Sequence, residues 1–183
     1  MPPCGSLKRR YTTDDEPLPS TWVIEEARAF LRAAQILEVT VQSDRDLRLY
    51  WPAIMNSALA CELFLKSLLV EADPRYPRSE YDPEGHLRLR LKPPGNGHGL
   101  FHLYNAIPVD LASRLRAISQ SLAPGFELEK WISTASNLFV GTRYPYEAGS
   151  VQAVDLDVLK LAPHLDQVLD QMTQRRPKSQ QRP

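Results

Sequence analysis

Apolar residues recur along most of the chain at the spacing of helices, and one stretch is apolar around nearly its whole circumference. In residues 53–70, leucine, isoleucine, methionine, phenylalanine and alanine side chains project on every side when successive residues are placed about 100° apart. A helix of this kind cannot lie on a surface, because some of its apolar face would meet water. We therefore predict that it is the central helix of a bundle.

The same periodicity predicts further helices on both sides of this central helix. They span residues 21–41, 46–52, 98–107, 110–122, 126–140 and 156–172. Ser20 or Thr21 is expected to cap the first of them, and Asp46 to open the second. Pro163 is either a kink or a fresh start in the last. The predicted fold class is all-α, a helical bundle of five to seven helices.

Proline and glycine interrupt the helical pattern in one long insertion, residues 73–97. Within it, residues 86–92 alternate between apolar and polar side chains and predict a short hairpin strand with a small basic edge. Both ends of the chain are polar and contain proline. We divide the chain into a disordered arm (1–20), a helical domain (21–172) and a disordered basic tail (173–183).

Composition and charge exclude several classes of function. The 183 residues are 43% hydrophobic and 24% charged, which suits one globular domain with a core of its own. The formal net charge is +0, so no global field draws the chain to nucleic acid or to a membrane. The central helix carries charged residues, so we predict no membrane span. Two cysteines cannot form a disulfide framework, so a cytoplasmic location is expected.

Two charged residues, Glu62 and Lys66, interrupt the apolar surface of the central helix. They stand four positions apart with the carboxylate first, which is the favourable order for an ion pair on one helix face. A semi-buried pair needs partners from elsewhere, and His98 and Arg143 are the natural candidates. We expect a polar cluster of Glu62, Lys66, His98, Arg143 and Tyr144, which is either a structural lock between helices or a ligand pocket.

The sequence gives little support to a metal or cofactor site. His98 and His102 have a spacing that can place two imidazoles on one metal ion, but no nearby cysteine or acidic residue completes the ligand set. The H-E-x-x-H pattern, a Gly-rich phosphate loop and a G-x-S-x-G elbow are all absent from the sequence. We therefore predict no metal and no cofactor.

Three segments of the chain resemble HEPN-type domains. Residues 56–69, NSALACELFLKSLL, resemble the second helix of such domains, with its A-x-E-x-x-L-K pattern. Residues 97–104, GHGLFHLY, and 139–147, FVGTRYPYE, are similar to the G-H-d-L-x-x-L-y and R-Y-x-Y-E segments that follow it. The match covers about residues 50–150, with the three segments in the same order.

The resemblance implies a helical bundle, often dimeric, of the kind found in bacterial toxin–antitoxin, antiphage and RNA-processing systems. Several members are metal-independent ribonucleases that use an Arg and a His separated by four to six residues. No Arg of this chain has a His at that spacing, and the corresponding positions after Arg143 are Ala148, Gly149 and Ser150.

Three functions are therefore carried forward. The first is a non-catalytic HEPN-like module, expected as a homodimer, that binds RNA, nucleotide or a cognate partner protein. The second is a metal-independent ribonuclease that uses Arg143 with His98 or His102, because cleavage without a metal needs an acid–base group beside a cation. The third is a structural or regulatory interaction protein whose basic tail touches nucleic acid.

Overall fold

The computed structural model describes residues 19–72, 89–91, 98–142 and 153–174. Over these ranges the fold is an all-α bundle, and the predicted count of five to seven helices is confirmed. The α-helices are α1 (Thr21–Asp44), α2 (Tyr50–Lys66), α3 (Leu100–Ala106), α4 (Val109–Leu122), α5 (Leu128–Thr134), α6 (Leu138–Thr142) and α7 (Leu161–Thr173). Short 3₁₀ helices, Leu47–Leu49 and Leu156–Lys160, lead into α2 and α7.

Helix α2 is the central helix of the bundle. It packs against α1 along most of its length and also contacts α3, α6 and α7. Phe64 and Leu65 are fully buried although they project in different directions from the helix axis. The apolar residues on all sides of α2 are therefore explained by neighbours on most of its circumference.

The end of α2 differs from the sequence prediction. The helix stops at Lys66 instead of Val70, because residues 67–69 form a turn in which Leu68 and Leu69 remain buried. Strand β1 (Val70–Ala72) follows and pairs antiparallel with β2 (Leu89–Leu91). The predicted hairpin strand is thus confirmed over 89–91, and the rest of the insertion lies outside the described residues.

The start of α1 is held by a backbone contact and not by a side-chain cap. The predicted N-cap position is confirmed for Ser20, but its hydroxyl makes no capping hydrogen bond. Its backbone N–H donates instead to the carbonyl oxygen of Ser67 at 2.8 Å, which ties α1 to the turn after α2. Residues 1–18 of the predicted arm and 175–183 of the predicted tail lie outside the described ranges.

Two of the other predicted helices are interrupted. The segment predicted as one helix over 126–140 forms α5 and α6, separated by a turn at 135–137. The last predicted helix, 156–172, is divided into the 3₁₀ helix Leu156–Lys160 and α7. Pro163 lies in the first turn of α7, so it marks a fresh start of the helix and not a kink. No helix within the described ranges is both long enough and apolar enough to cross a membrane.

Candidate functional site

The carboxylate of Glu62 lies at the centre of the predicted polar cluster. Only 3% of its side chain is exposed, although it is ionisable and sits on the helix that forms the middle of the core. The spacing of four residues places Lys66 one turn later, and its Nζ donates to Oε1 of Glu62 at 2.6 Å. The Lys66 side chain is itself only 15% exposed. The predicted ion pair is therefore formed in a position that is largely shielded from water.

His98 is the second partner of this carboxylate. Its Nδ1 lies 3.0 Å from the same oxygen, Oε1, that accepts from Lys66. The imidazole is 57% exposed, so the contact runs from the interior of the bundle to its surface. The structure thus brings together three of the five residues that the sequence assigned to the cluster.

The turn between α5 and α6 positions His98 by holding the start of α3. The backbone N–H of Leu100 donates to the carbonyl oxygen of Ser136 at 3.1 Å, and that of Phe101 donates to the Ser136 hydroxyl at 3.0 Å. Gly99 lies so close that a Cβ there would be 3.3 Å from the Ser136 Oγ. The backbone that carries His98 is therefore fixed from a different part of the chain.

The two oxygens of the Glu62 carboxylate have unequal surroundings. Both Lys66 and His98 contact Oε1, whereas Oε2 is buried and has no hydrogen-bond partner among the described residues. A buried polar atom without a partner costs about 1–3 kcal/mol. The cluster therefore contains one acceptor position that no residue in the described ranges fills.

Of the remaining predicted site residues, the structure describes only His102. His102 is exposed on α3, and the hydrogen bonds that join Glu62 to its two partners do not involve it. Arg143 and Tyr144 lie outside the described residues. Among the residues that the structure does describe, no group of three or more His, Cys, Asp or Glu side chains could hold a metal ion.

An exposed aromatic ring follows His98 by three residues in the chain. Phe101, in the first turn of α3, is 45% exposed. The inward side of α3 is formed instead by Leu100, Leu103 and Tyr104. The start of α3 therefore presents a phenyl ring and an imidazole ring on the surface of the bundle.

Sequence reasoning missed a second polar contact, between Ser119 of α4 and His164 of α7. The Ser119 Oγ and the His164 Nε2 are 2.7 Å apart, and the Phe126 ring stacks on the imidazole at 3.9 Å between centroids. Burial lowers the pKa of His164, which favours the neutral ring as the acceptor of the serine hydroxyl. The available signal was that Ser119 follows the buried Leu115 by four residues on the inward face of α4.

Helices α1 and α7 are joined by Arg28, which the sequence did not single out. Its Nε donates to Asp166 at 2.7 Å, and its terminal nitrogens donate to Asp170 at 3.0 Å and Glu25 at 2.9 Å. Burial opposes the charged guanidinium, but these carboxylates outweigh it and raise the pKa of Arg28. A groove of about 590 Å³ runs alongside, with the half-exposed Ile36 on its wall. It contains none of the predicted site residues.

Comparison of the chain with protein-family models, with curated proteins and with solved structures found no match. Function must therefore be argued from the site, because an all-α bundle hosts many unrelated activities.

Proposed function

We propose that this chain is a non-catalytic HEPN-like helical module that binds RNA or a nucleotide through the start of α3. One observation supports the proposal most directly: the His98 imidazole, 57% exposed, contacts a buried carboxylate, and the phenyl ring of Phe101, three residues later, is 45% exposed. Imidazole and phenyl rings are the groups on which proteins stack unpaired RNA bases. The resemblance of residues 56–69, 97–104 and 139–147 to HEPN-type domains points to the same class of ligand.

The charge balance indicates how such binding would work. The formal net charge is +0, so no global field draws the chain to a phosphate backbone. We propose that affinity comes mainly from stacking and from local hydrogen bonds at His98 and Phe101. With few phosphate contacts, its dependence on salt should be shallow.

Fluorescence anisotropy with labelled single-stranded RNA of mixed sequence, and with free nucleotides as competitors, tests this proposal. Phe101→Leu should weaken binding by about 5- to 100-fold, because losing one stacked ring costs about 1–3 kcal/mol. Trp22→Leu is the matched control, since Trp22 is 44% exposed on α1 and lies outside the site. Equal binding by wild type and the Phe101 variant, or no binding by any of them, would contradict the proposal.

The resemblance also implies a cognate partner protein and a homodimer, in a bacterial toxin–antitoxin or antiphage setting. Sedimentation equilibrium tests the homodimer, and the genes next to this one test the setting. If the protein forms a stable complex with the product of a neighbouring gene in the absence of RNA, the ligand of this module is a protein and not RNA.

The His98–Glu62 contact favours a second function, a metal-independent ribonuclease. An imidazole hydrogen-bonded to a carboxylate and open to solvent is a common form of general acid or base. In this reading Arg143 would act with His98 or His102. Incubating mixed RNA with the purified protein, with and without a chelator, separates the two functions. Cleavage that survives the chelator and is lost in His98→Ala or Arg143→Ala would establish the enzyme and overturn the binding function.

A further inference from the structure

Helix α1 carries a line of exposed residues that its own bundle does not cover. The side chains of Ile36 and Val39 are 57% and 64% exposed, and they are neighbours on one face of the helix. Steps of three and four residues continue this line, and every member is exposed: Ala29, Arg32, Ile36, Val39 and Ser43. We call these five residues the α1 seam. Their spacing is that of the contact positions of two helices packed side by side.

The α1 seam borders the groove that runs alongside α1. Arg32, Ile36 and Val39 line the groove from α1, and Asp166 lines it from α7. A second helix laid along α1 would enter this groove and would remove the apolar side chains of the seam from water. The surface therefore has the shape and the residue spacing of a helix-binding site.

The charges of the seam indicate that this second helix is another copy of α1. Arg32 is exposed and forms no ion pair with a described residue. Near the other end of the seam, the Asp44 carboxylate is held beside it, because Asp44 Oδ1 accepts from the Ser43 hydroxyl at 2.8 Å. The seam therefore has a free cation towards one end and an anion at the other, so it is complementary to itself in antiparallel orientation.

The spacing of these residues fixes the register of such a pair. A two-fold axis between Ile36 and Val39 sets each of them opposite the other in the second copy. Arg32 and Ser43 lie four residues outside this pair, one on either side, so the same register sets Arg32 opposite Ser43 and its neighbour Asp44. A parallel pair would instead set Arg32 against Arg32 of the second copy, and like charges repel.

We infer that the α1 seam is a homodimer interface, in which α1 packs antiparallel on α1 of a second copy. Ile36 and Val39 form the apolar centre of this interface. At each end, Arg32 pairs with Asp44 of the second copy. This inference gives the homodimer of the proposed function an interface, and it rests on that part of the proposed function alone. RNA binding at the start of α3 does not enter the argument, so either can fail without the other.

Sedimentation equilibrium of the purified protein without RNA measures this interface. Wild type should dimerise at concentrations up to about 100 µM. Val39→Glu should raise the Kd of the dimer about 100-fold, because the two-fold axis brings two carboxylates into the centre of the interface. Val109→Glu is the matched control, since Val109 is 72% exposed in the first turn of α4 and the Kd should stay unchanged. Circular dichroism verifies that both variants, which alter exposed positions, are folded.

An exchange of charges tests the direction and the register. Arg32→Glu should raise the Kd about tenfold, because it sets a carboxylate opposite Asp44 of the second copy. Combining Arg32→Glu with Asp44→Arg should restore the wild-type Kd. High salt should reduce the effect of the single variant, since the groups are near the rim of the interface.

A wild-type protein that remains monomeric would overturn the inference and leave RNA binding by the start of α3 intact. A dimer that survives Val39→Glu would overturn it as well, because the homodimer would then use another face. Failure of Asp44→Arg to rescue Arg32→Glu would refute the antiparallel register. A chain that dimerises only after removal of residues 1–18 or 175–183 would assign the seam to an end of the same chain and not to a second copy.

Discussion

Replacing Lys66 with methionine should destabilise the fold much more than replacing an exposed lysine, because Lys66 neutralises a buried carboxylate. The Glu62 side chain is 3% exposed, and the Lys66 Nζ lies 2.6 Å from its Oε1. Methionine keeps most of the apolar stem of lysine, so the substitution removes chiefly the ammonium group. The carboxylate would then rely on His98, whose ring is half in solvent.

The magnitude follows from the burial of the two partners. Removing one member of a buried ion pair costs about 3–5 kcal/mol. Lys66 retains 15% exposure and His98 remains as a donor, so we expect the lower limit, about 3 kcal/mol of unfolding free energy. A chain of this length loses about 2–4 °C of Tm per kcal/mol, which gives a decrease of about 6–12 °C. In a Glu62→Gln background no charge needs neutralising, so the same substitution should cost only about 1 kcal/mol.

Urea unfolding of wild type, the two single variants and the double variant measures this coupling directly. Lys160→Met is the matched control: the Lys160 Nζ is 2.7 Å from Asp157, but the two side chains are 69% and 52% exposed. That control should leave the free energy of unfolding nearly unchanged, because an ion pair between exposed side chains contributes little. If Lys66→Met costs the same in the wild-type and Glu62→Gln backgrounds, the buried pair is not the source of the loss and the reasoning fails.

Three further predictions concern contacts outside this pair. Burial lowers the pKa of His164 below its ordinary 6.5, so below that value the unfolded chain binds more protons than the folded one. The stability that His164 contributes is complete above pH 6.5 and is lost as the pH falls toward the lowered pKa; urea unfolding should show this slope in wild type and a smaller one in His164→Gln. Arg28→Ala should cost about 1 kcal/mol, because its partners are partly exposed, and should reduce the loss of Tm on adding salt. Ser136→Ala should cost about 1 kcal/mol by removing the acceptor at the start of α3. Thermal unfolding checks it, and the exposed Ser133→Ala should stay within about 0.5 kcal/mol of wild type.

The helices could be predicted because apolar periodicity depends only on residues close in sequence. The prediction failed where a contact with a distant segment determines the backbone conformation. Leu68 and Leu69 continue the apolar run of α2, but they are buried from a turn, and Val70 pairs with Leu91 across the insertion. Residues 126–140 likewise have continuous helical periodicity. The break at 135–137 places Ser136 against the start of α3, where it accepts hydrogen bonds from the backbone N–H groups of Leu100 and Phe101. These contacts with another segment cannot be read from the periodicity of residues 126–140.

The site was predictable to the same extent. Glu62 and Lys66 follow from spacing on one helix, and His98 could be nominated as a partner because a buried pair needs one. The exposure of Phe101 could not be foreseen, since its apolar character predicts burial. The contact between Ser119 and His164 joins residues that are 45 positions apart in the chain. The spacing of Ser119 from Leu115 indicates that Ser119 faces inward, but it does not identify His164 as its partner.

The arrangement of the carboxylate bears on whether the cluster is only a lock between helices. A pair of apolar side chains of similar volume usually stabilises a core as well as a buried ion pair does, or better. A lock would also be expected to satisfy both oxygens, because each unfilled buried acceptor costs about 1–3 kcal/mol. Here both Lys66 and His98 approach Oε1 of Glu62, and within the part of the chain that the structure describes Oε2 has no hydrogen-bond partner. Stability alone therefore does not explain a glutamate on the most enclosed helix of the bundle. Its contact with His98 supplies a reason, since the buried carboxylate lies 3.0 Å from the Nδ1 of a half-exposed imidazole and so fixes the position of that ring at the surface of the bundle.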